Sequence, residues 1–327
     1  MIQNYRDKNV LITGGLGFIG SQLSKALVSL EAKVTLVDSL IPEYGGNLYN
    51  VNAFQDRVKI NISDVRDEHS FKYLVRGNDI IFNLAGQTSH MDSMTRPFDD
   101  LEINAKAQLS ILECCKKFNP DVKIIFASTR QIYGKPEYLP VDERHPLRPV
   151  DVNGINKLAG EWYHILYNNV YSLRSCSLRL TNTYGPCMRI KDARQTFLGV
   201  WIRNIVEEKG FEVWGGSQLR DYNYVDDVVD AFLLAGCSEV SNGKVYNLGS
   251  SEILSLRQTA DLLKQINVGC SYSLREFPLD RKKIDIGDYY SNYSLIRNEL
   301  GWVPKVSFLQ GMTETLEYYR KFIANYL

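Results

Sequence analysis

The chain has 327 residues, of which 44% are hydrophobic and 23% are charged, with 38 basic residues balanced by 38 acidic ones. This length predicts about two domains of ~150 residues or one large α/β unit with an extension, and the apolar content argues against disorder. A formal net charge of zero leaves no electrostatic surplus for binding a nucleic acid polymer. Tyrosine is unusually abundant, with 20 residues against 13 phenylalanines and 4 tryptophans.

The sequence shows no signal for a membrane, for secretion or for a metal. The segment MIQNYRDKNVLITGG lacks the charged and then apolar pattern of a secretory signal. No apolar run reaches the length of about 18 residues that a spanning helix needs. The 6 cysteines form no CxxC pair and have no histidines at zinc spacing. We therefore expect a cytoplasmic protein with reduced thiols, no membrane partner and no metal site.

The first half of the chain alternates short apolar runs with helical patterns. Buried strands are predicted at Lys8–Thr13, Lys33–Val37, Val58–Ile62, Asp79–Leu84 and Lys123–Ala127. Such strands, separated by amphipathic helices, are typical of an α/β fold with a doubly wound parallel sheet. The regular alternation weakens in the second half. We expect the sheet domain to cover residues 1–178, with a returning segment near 224–240, and a smaller, interleaved α/β domain to cover residues 179–327.

A glycine-rich loop follows the first predicted strand and opens the first helix. Its sequence, GGLGFIG at 14–20, satisfies both G-x-G-x-x-G and G-x-x-G-x-x-G. Such glycines allow a tight turn and a close approach of the backbone to a pyrophosphate at the helix N-terminus. Asp38 ends the second strand, where a carboxylate binds ribose hydroxyls and repels a 2′-phosphate. The pattern predicts a Rossmann-type site for NAD rather than NADP; a surface turn is the alternative for Asp38.

Together with other segments, these motifs resemble the extended short-chain dehydrogenases/reductases. The chain is identified as a member of their NAD-dependent epimerase/dehydratase family, and it is most similar to CDP-tyvelose/paratose 2-epimerases and UDP-sugar 4-epimerases. The matching segments in chain order are GGLGFIG (14–20), Asp38, DVRD (64–67), NLAGQ (83–87), Asn104, STRQIYG (128–134), Lys157, RLTNTYGP (179–186), RDYNYVDD (220–227) and LGWVP (300–304).

The resemblance implies an isomerase of carbohydrate biosynthesis that works on a nucleotide-diphosphate sugar through a transient keto-sugar. In this family hydride passes from a sugar carbon to tightly held NAD⁺. A tyrosine of a YxxxK pair takes the hydroxyl proton, and the lysine lowers the pKa of that tyrosine. The resemblance also implies a homodimer.

Site positions follow from the same resemblance. Cofactor contacts fall on Gly14, Gly17, Phe18, Ile19, Gly20, Asp38, Asp64, Val65, Leu84, Ala85, Gly86, Gln87, Asn104, Lys157 and Leu180. Substrate contacts fall on Thr129, Asn182, Arg220 and Arg281, and Thr129 is also a catalytic position. A guanidinium suits a diphosphate, although a solvated surface charge is the alternative for each of the two arginines.

The catalytic tyrosine of the family is missing from this chain. Asn153 stands four residues before Lys157, where the family has Tyr-x-x-x-Lys. An amide neither gains nor loses a proton near neutral pH, so Asn153 can hydrogen-bond but cannot replace a phenolate. Three interpretations stay open. The chain is an enzyme with another acid/base, a non-catalytic protein that binds NAD and a nucleotide sugar, or a Tyr-to-Asn variant or shifted alignment of an epimerase.

Few side chains are candidates for the missing proton carrier. His90 follows the fourth predicted strand, and a purely structural histidine is the alternative there. Lys157 could serve if burial lowers its pKa. Cys187 is a further candidate, and Tyr133 is expected to pack rather than react.

A second departure concerns the two residues after Thr129. Arg130 and Gln131 stand where the 4,6-dehydratases of the family have an Asp-Glu pair and where its decarboxylases keep a glutamate. Dehydration and decarboxylation are therefore disfavoured. The resemblance then leaves epimerisation or simple redox chemistry.

Overall fold

A computed structural model describes residues 4–267, 269–278 and 283–327 of the chain. Its strands are β1 Asn9–Thr13, β2 Lys33–Asp38, β3 Val58–Ile62, β4 Ile80–Asn83, β5 Lys123–Thr129, β6 Ser175–Leu180, β7 Asn182–Tyr184, β8 Phe211–Trp214, β9 Leu219–Tyr224, β10 Val245–Asn247, β11 Ile253–Ser255 and β12 Tyr272–Arg275. Its α-helices are α1 Phe18–Ser29, α2 Glu68–Leu74, α3 His90–Thr95, α4 Pro97–Leu101, α5 Ala107–Phe118, α6 Val152–Tyr171, α7 Phe197–Val206, α8 Val225–Cys237, α9 Leu256–Ile266, α10 Ser294–Leu300 and α11 Phe308–Phe322.

The main sheet has 7 parallel strands in the order β10-β6-β5-β4-β1-β2-β3. The strand order reverses between β1 and β4, and in doubly wound sheets the crevice at such a reversal is where ligands bind. Two smaller sheets, β11-β9-β7 and β12-β8, come from the second half of the chain. The predicted α/β fold with a doubly wound parallel sheet is confirmed. The domain limits stay a prediction.

The central strands of the main sheet, β1, β4, β5 and β6, are buried on both faces. Val10 and Ile12 face a core that includes side chains of α1 and α8, whereas Leu11, between them, faces a core built with α2, α5 and α6. This double burial explains the near-continuous apolar runs by which the sequence predicted these strands. β5 extends to Thr129, beyond the predicted end at Ala127, because Thr129 still pairs with Leu180 of β6.

Two sequence expectations concern the cysteines and the membrane. All of Cys114, Cys115, Cys176, Cys187, Cys237 and Cys270 are free thiols. Among the described residues, no helix combines the length and the apolar character needed to cross a bilayer.

Candidate active site

A cavity of about 970 Å³ opens at the carboxyl ends of β1, β2, β4, β5 and β6. Residues from the second half of the chain, among them Arg189, Trp201 and Arg220, line its other wall. Small-molecule pockets usually measure about 300–1,000 Å³, so this cavity lies at the upper end of that range. Its lining includes both predicted cofactor positions, such as Asp38, and predicted substrate positions, such as Asn182.

The glycine-rich loop forms the first wall of the cavity. Gly14 has a φ of +67°, a conformation that favours glycine, and a Cβ on Gly20 would lie 2.2 Å from the Gly14 carbonyl oxygen. Gly17 is the N-cap of α1, so the first amides of that helix have no partner within it. The positive end of the helix dipole and these amides suit a pyrophosphate.

Asp38 lies beside the loop at the end of β2. Its carboxylate accepts the backbone N–H groups of Leu16 and Leu40, at 3.1 Å and 2.9 Å. Burial raises the pKa of this carboxyl, while the backbone hydrogen bonds act in the opposite direction. These contacts fix the carboxylate in the cavity wall. Asp64 also lines the cavity, and it is bound by Arg66, whose Nε lies 2.9 Å from Oδ1.

Lys157 and Asn104 meet at Gly86, deeper in the cavity wall. Lys157 Nζ donates to the Ala127 carbonyl oxygen at 2.9 Å, and burial lowers the pKa of the ammonium to about 8. A Cβ on Gly86 would lie 2.9 Å from Asn104 Oδ1 and 3.0 Å from Lys157 Nζ. Asn104 Nδ2 donates to the Gln87 carbonyl oxygen, but Oδ1 is buried without a partner among the described residues. The bare backbone and the unpaired acceptor fit the nicotinamide end of NAD.

Asn153 uses its side-chain amide to bind protein groups. Nδ2 donates to the Gln87 carbonyl oxygen at 2.8 Å and to Asp100 Oδ2 at 3.0 Å. Asn156 donates to the other oxygen of Asp100 at 2.8 Å, and the backbone N–H of Asn153 donates to Ser93 Oγ at 3.2 Å. Asp100 is completely buried. The surroundings of residue 153 thus complement an amide donor, and an amide does not act as an acid or base near neutral pH.

His90 and Asp151 form an acid–base pair on the cavity wall. His90 Nδ1 lies 2.9 Å from Asp151 Oδ2, and 37% of the His90 side chain is exposed. Asp151 is the N-cap of α6, where Oδ1 accepts the Gly154 N–H at 2.6 Å, and Gln131 Nε2 donates to Oδ2 at 3.2 Å. Burial by itself raises the pKa of Asp151, but the adjacent His90 imidazole and the Gly154 amide outweigh it and hold that pKa below its ordinary value.

The substrate side of the cavity begins at Thr129. Its Oγ1 accepts the Gln131 N–H at 3.2 Å. Arg130 Nη2 donates to Asn182 Oδ1 at 3.0 Å. Arg220 donates to the carbonyl oxygens of Leu219 and Gly287 and pairs with Asp285 at 3.4 Å. Two of the positions expected to contact substrate, Asn182 and Arg220, are thus held by neighbouring groups in the cavity wall.

The structure brings most of the predicted site residues to one cavity. Those that line it are Gly14, Gly17, Phe18, Ile19, Gly20, Asp38, Asp64, Val65, Leu84, Ala85, Gly86, Gln87, His90, Thr129, Asn153, Lys157, Leu180, Asn182 and Arg220. Asn104 lies directly behind Gly86. Arg281 lies outside the described residues.

Two other candidates for the proton carrier lie outside the lining of this cavity. Tyr133 is fully buried, and its hydroxyl donates to Asn247 Oδ1 at 2.7 Å, so it packs as expected. Burial raises the pKa of Tyr133 well above its ordinary value. Cys187 is buried next to the hydroxyl of Tyr318, with 3.5 Å between the sulfur and the oxygen.

The sequence did not single out Asp151, Asp100 or the binding potential of Arg130. A signal for Asp151 exists, because an aspartate directly before an apolar helical pattern is a typical N-cap. No local signal marks Asp100, whose contact with Asn153 spans 53 residues of sequence. In the sequence, Arg130 stood out only because it replaces an acidic residue of the 4,6-dehydratases, and no binding role was predicted for it.

A phosphate-binding loop, a carboxylate ending the second strand and a buried lysine, all at the crevice of a doubly wound sheet, define a dinucleotide-binding enzyme of the extended short-chain dehydrogenase/reductase type. The chain belongs to the NAD dependent epimerase/dehydratase family, whose model matches residues 10–249. The prediction of NAD as the cofactor is therefore confirmed.

Individual relatives agree with this assignment. The chain is 30% identical over 317 residues to a putative UDP-glucose 4-epimerase of Methanocaldococcus jannaschii. This alignment covers 94% of the chain and 97% of the relative. The crystal structure of UDP-glucose 4-epimerase from Thermotoga maritima with UDP-glucose has a TM-score of 0.87 at 30% identity, covering 96% and 99% of the two chains. A UDP-N-acetylglucosamine 4-epimerase from Methanobrevibacter ruminantium, in complex with UDP-N-acetylmuramic acid, has a TM-score of 0.88 at 25% identity and coverages of 97% and 99%.

Proposed function

We propose that this protein is an NAD-dependent epimerase of a UDP-linked sugar that works through a transient keto-sugar without the usual tyrosine. The observation that carries the proposal is the His90–Asp151 pair, which lines the same cavity as Thr129 and Lys157. The names of the relatives favour UDP-hexoses as the substrates. Arg130 and Gln131, in place of an acid pair, disfavour dehydration and decarboxylation.

The residues of the cavity have separate roles in the proposed reaction. The loop at 14–20 would hold the pyrophosphate of NAD, Asp38 its ribose, and Lys157 with Asn104 its nicotinamide end. When bound, NAD⁺ supplies a reversible acceptor for the hydride of a sugar carbon. In this proposal the Thr129 hydroxyl, which lines the cavity, holds the reacting sugar oxygen.

His90 takes the hydroxyl proton in this proposal. Nδ1 lies 2.9 Å from the Asp151 carboxylate, so we assign the ring proton to Nδ1 and proton uptake from the sugar to Nε2. Asp151 stays ionised at neutral pH, since its pKa is below the ordinary value. It therefore orients the imidazole and stabilises the imidazolium that forms when Nε2 takes the proton. The same nitrogen returns the proton after the sugar carbon is inverted.

Asn153 acts as a positioning residue. Its amide binds the Gln87 carbonyl oxygen, and Gln87 Nε2 in turn donates to the Ser89 carbonyl oxygen at 2.8 Å. Its backbone N–H binds Ser93 Oγ, which donates to the His90 carbonyl oxygen at 2.7 Å. Asn153 thus ties the segment that carries His90 to α6. These contacts favour a native asparagine over an inactivating Tyr-to-Asn change.

The test compares His90→Gln with the wild type, using UDP-glucose, UDP-galactose, UDP-N-acetylglucosamine and UDP-glucuronate as substrates. We expect the wild type to convert at least one of them to its epimer and His90→Gln to lower kcat by about 100-fold or more, as for loss of a general base. NAD content should stay unchanged. His69→Gln, at an exposed position on α2, is the control. Full turnover by His90→Gln would contradict the role of His90.

A non-catalytic protein that binds NAD and a nucleotide sugar is the second candidate. It is favoured by Asn153, whose amide nitrogen donates to protein groups and which cannot act as an acid or base near neutral pH. The same experiment separates the two functions. Binding of a UDP-sugar to the NAD-loaded wild type without any epimer across the neutral pH range would support the second candidate.

We also infer a homodimer. Five large apolar side chains of α6 are exposed, and four of them, Ile155, Trp162, Leu166 and Val170, recur at helical spacing. Their spacing of seven, four and four residues places them along one side of the helix. A cytoplasmic location and a role in carbohydrate biosynthesis stay predictions from the sequence.

A further inference from the structure

The arginines of the cavity differ in how their charge is balanced. Arg189 pairs with Asp192 at 2.6 Å, Arg194 with Asp92 at 2.9 Å, and Arg220 with Asp285 at 3.4 Å. Arg130, which lines the same cavity, has no carboxylate within ion-pair distance among the described residues. Among the described residues, its guanidinium is therefore a cation of the cavity wall that forms no ion pair.

The surroundings of Arg130 hold its guanidinium in place but leave one nitrogen unused. Nη2 donates to Asn182 Oδ1 at 3.0 Å, and the guanidinium carbon lies 5.2 Å from the centroid of the Tyr289 ring. Nη1 is buried and has no hydrogen-bond partner among the described residues. A buried donor that carries charge is strongly unfavourable unless it is paired. An acceptor that arrives with a ligand would remove this penalty.

Asp221 is the acid that acts on Arg130 from nearby, but its oxygens are already in use. Oδ1 accepts the Thr181 hydroxyl, and Oδ2 accepts the Ser291 N–H at 2.9 Å. Burial, aided by the charge of Arg220, lowers the pKa of Arg130 to about 10, so the guanidinium stays charged at neutral pH. A planar, charged fork with a free N–H matches a carboxylate better than a neutral hydroxyl.

The position of Arg130 in the chain puts it at the sugar end of the cavity. It directly follows Thr129, the residue expected to hold the reacting sugar oxygen. Gln131, the next residue, donates to Asp151, the partner of His90. Arg130 therefore starts from the same strand end as the groups around the reacting carbon. Arg220, which the resemblance assigns to the diphosphate, reaches the cavity from β9 instead.

We propose that Arg130 recognises a carboxylate on the sugar of the substrate, so that the enzyme prefers an acidic nucleotide sugar, such as a hexuronate, to the neutral hexose. The proposal rests on the proposed function for the reaction at this site. It adds the substrate class, which the site residues predicted from the sequence did not define. In this role Arg130 is a specificity-determining residue and takes no part in proton or hydride transfer.

The test measures the affinity of the NAD-loaded protein for UDP, UDP-glucose and UDP-glucuronate by calorimetry. We expect UDP-glucuronate to bind the wild type more tightly than UDP-glucose. Arg130→Met should weaken UDP-glucuronate by about tenfold to about a hundredfold, the range for a hydrogen bond to a charged group, and leave UDP and UDP-glucose nearly unchanged. Arg130→Lys should keep part of the preference. Arg220→Met is the contrast variant, because loss of a diphosphate contact weakens all three ligands alike.

Every other outcome either contradicts the role of Arg130 or shows that the proposed UDP-sugar function, rather than the role of Arg130, is wrong. Equal affinity of the wild type for UDP-glucose and UDP-glucuronate overturns the proposal, even if no Arg130 variant folds. Equal weakening of all three ligands by Arg130→Met also overturns it, since Arg130 then binds the diphosphate. If UDP itself does not bind, the UDP-sugar function fails. Glucuronic acid 1-phosphate compared with glucose 1-phosphate then tests Arg130 without a nucleotide.

Discussion

The Lys157 ammonium is buried with a single backbone acceptor, the Ala127 carbonyl oxygen, and its pKa is lowered to about 8 mainly by desolvation. A fall of this size from the ordinary value corresponds to about 3 kcal/mol of unfavourable free energy when the lysine is charged. The folded protein releases this proton near pH 8, whereas the unfolded chain keeps it to about pH 10.4. The penalty is therefore fully present below pH 8 and is relieved as the pH rises towards 10.

Lys157→Met should consequently stabilise the nucleotide-free protein at pH 7, by up to about 3 kcal/mol. The gain should shrink at pH 10, where the wild-type lysine is neutral in the folded state. Urea unfolding at the two pH values measures both quantities. Lys106→Met, at an exposed position beside α5, is the control and should change neither. A gain that is absent at pH 7, or that is the same at both pH values, would show that Lys157 is not held in an unfavourable charged state.

At the scale of elements, the first turn of α6 is capped by Asp151, a residue that also contacts the proposed base His90. Asp151 accepts the Gly154 N–H with one carboxylate oxygen and faces His90 with the other. Asp151→Asn keeps a side-chain oxygen for the cap but removes the charge that stabilises a His90 imidazolium. Asp151→Ala removes both.

We expect Asp151→Asn to keep nearly the wild-type stability and to lose epimerase activity by about 100-fold or more. Asp151→Ala should lose activity and in addition about 0.5–2 kcal/mol of stability, the usual effect of losing an N-cap. Thermal unfolding and initial rates on the same preparations separate the two effects. Full activity of Asp151→Asn would mean that the carboxylate serves α6 only as a cap.

The sequence predicted helices and strands well where buried apolar residues follow a regular pattern along the chain. β1 and β4 lie within one residue of their predicted bounds at each end, because parallel strands covered on both faces are apolar nearly throughout. β3 also has the expected bounds, although it is an edge strand on which Lys59 and Ile62 are exposed. β10 has only 3 residues and was not predicted, since its place beside β6 depends on pairing across the fold. The π-helical turn at Glu102–Lys106, which carries Asn104, was also not predicted. Short elements of this kind are decided by tertiary contacts rather than by local pattern.

Across the whole molecule, the sequence predicted which side chains belong to the site but not how they are paired. The positions of Asp38 and Lys157 followed from motifs of fixed spacing. By contrast, the contact of Asn153 with Asp100 and the lack of an ion-pair partner for Arg130 among the described residues depend on residues far away in the chain. A motif contained in one segment can be identified from the sequence of that segment. Pairing of charges between distant segments can be determined only from the folded structure.

The exposed apolar side of α6 yields a prediction for the assembly. Trp162 and Leu166 are 54% and 49% exposed, and glutamate at either position would place a charge in a dimer interface built on this helix. An unpaired charge that is buried by association is strongly unfavourable. We therefore expect the wild type to sediment as a dimer in analytical ultracentrifugation and Trp162→Glu and Leu166→Glu to sediment as monomers that still hold NAD.

Leu309→Glu is the matched control for this experiment, because Leu309 is 46% exposed but lies on α11 in the second half of the chain. It adds the same charge at a similarly exposed leucine and should leave the dimer intact. A monomeric wild type would contradict the dimer altogether. A dimer that persists in both α6 variants would show that the interface lies elsewhere. Loss of the dimer with Leu309→Glu alone would point to the second half of the chain. Retained NAD in the monomers would show that each chain forms its cofactor site by itself, as the cavity lined by residues of one chain implies.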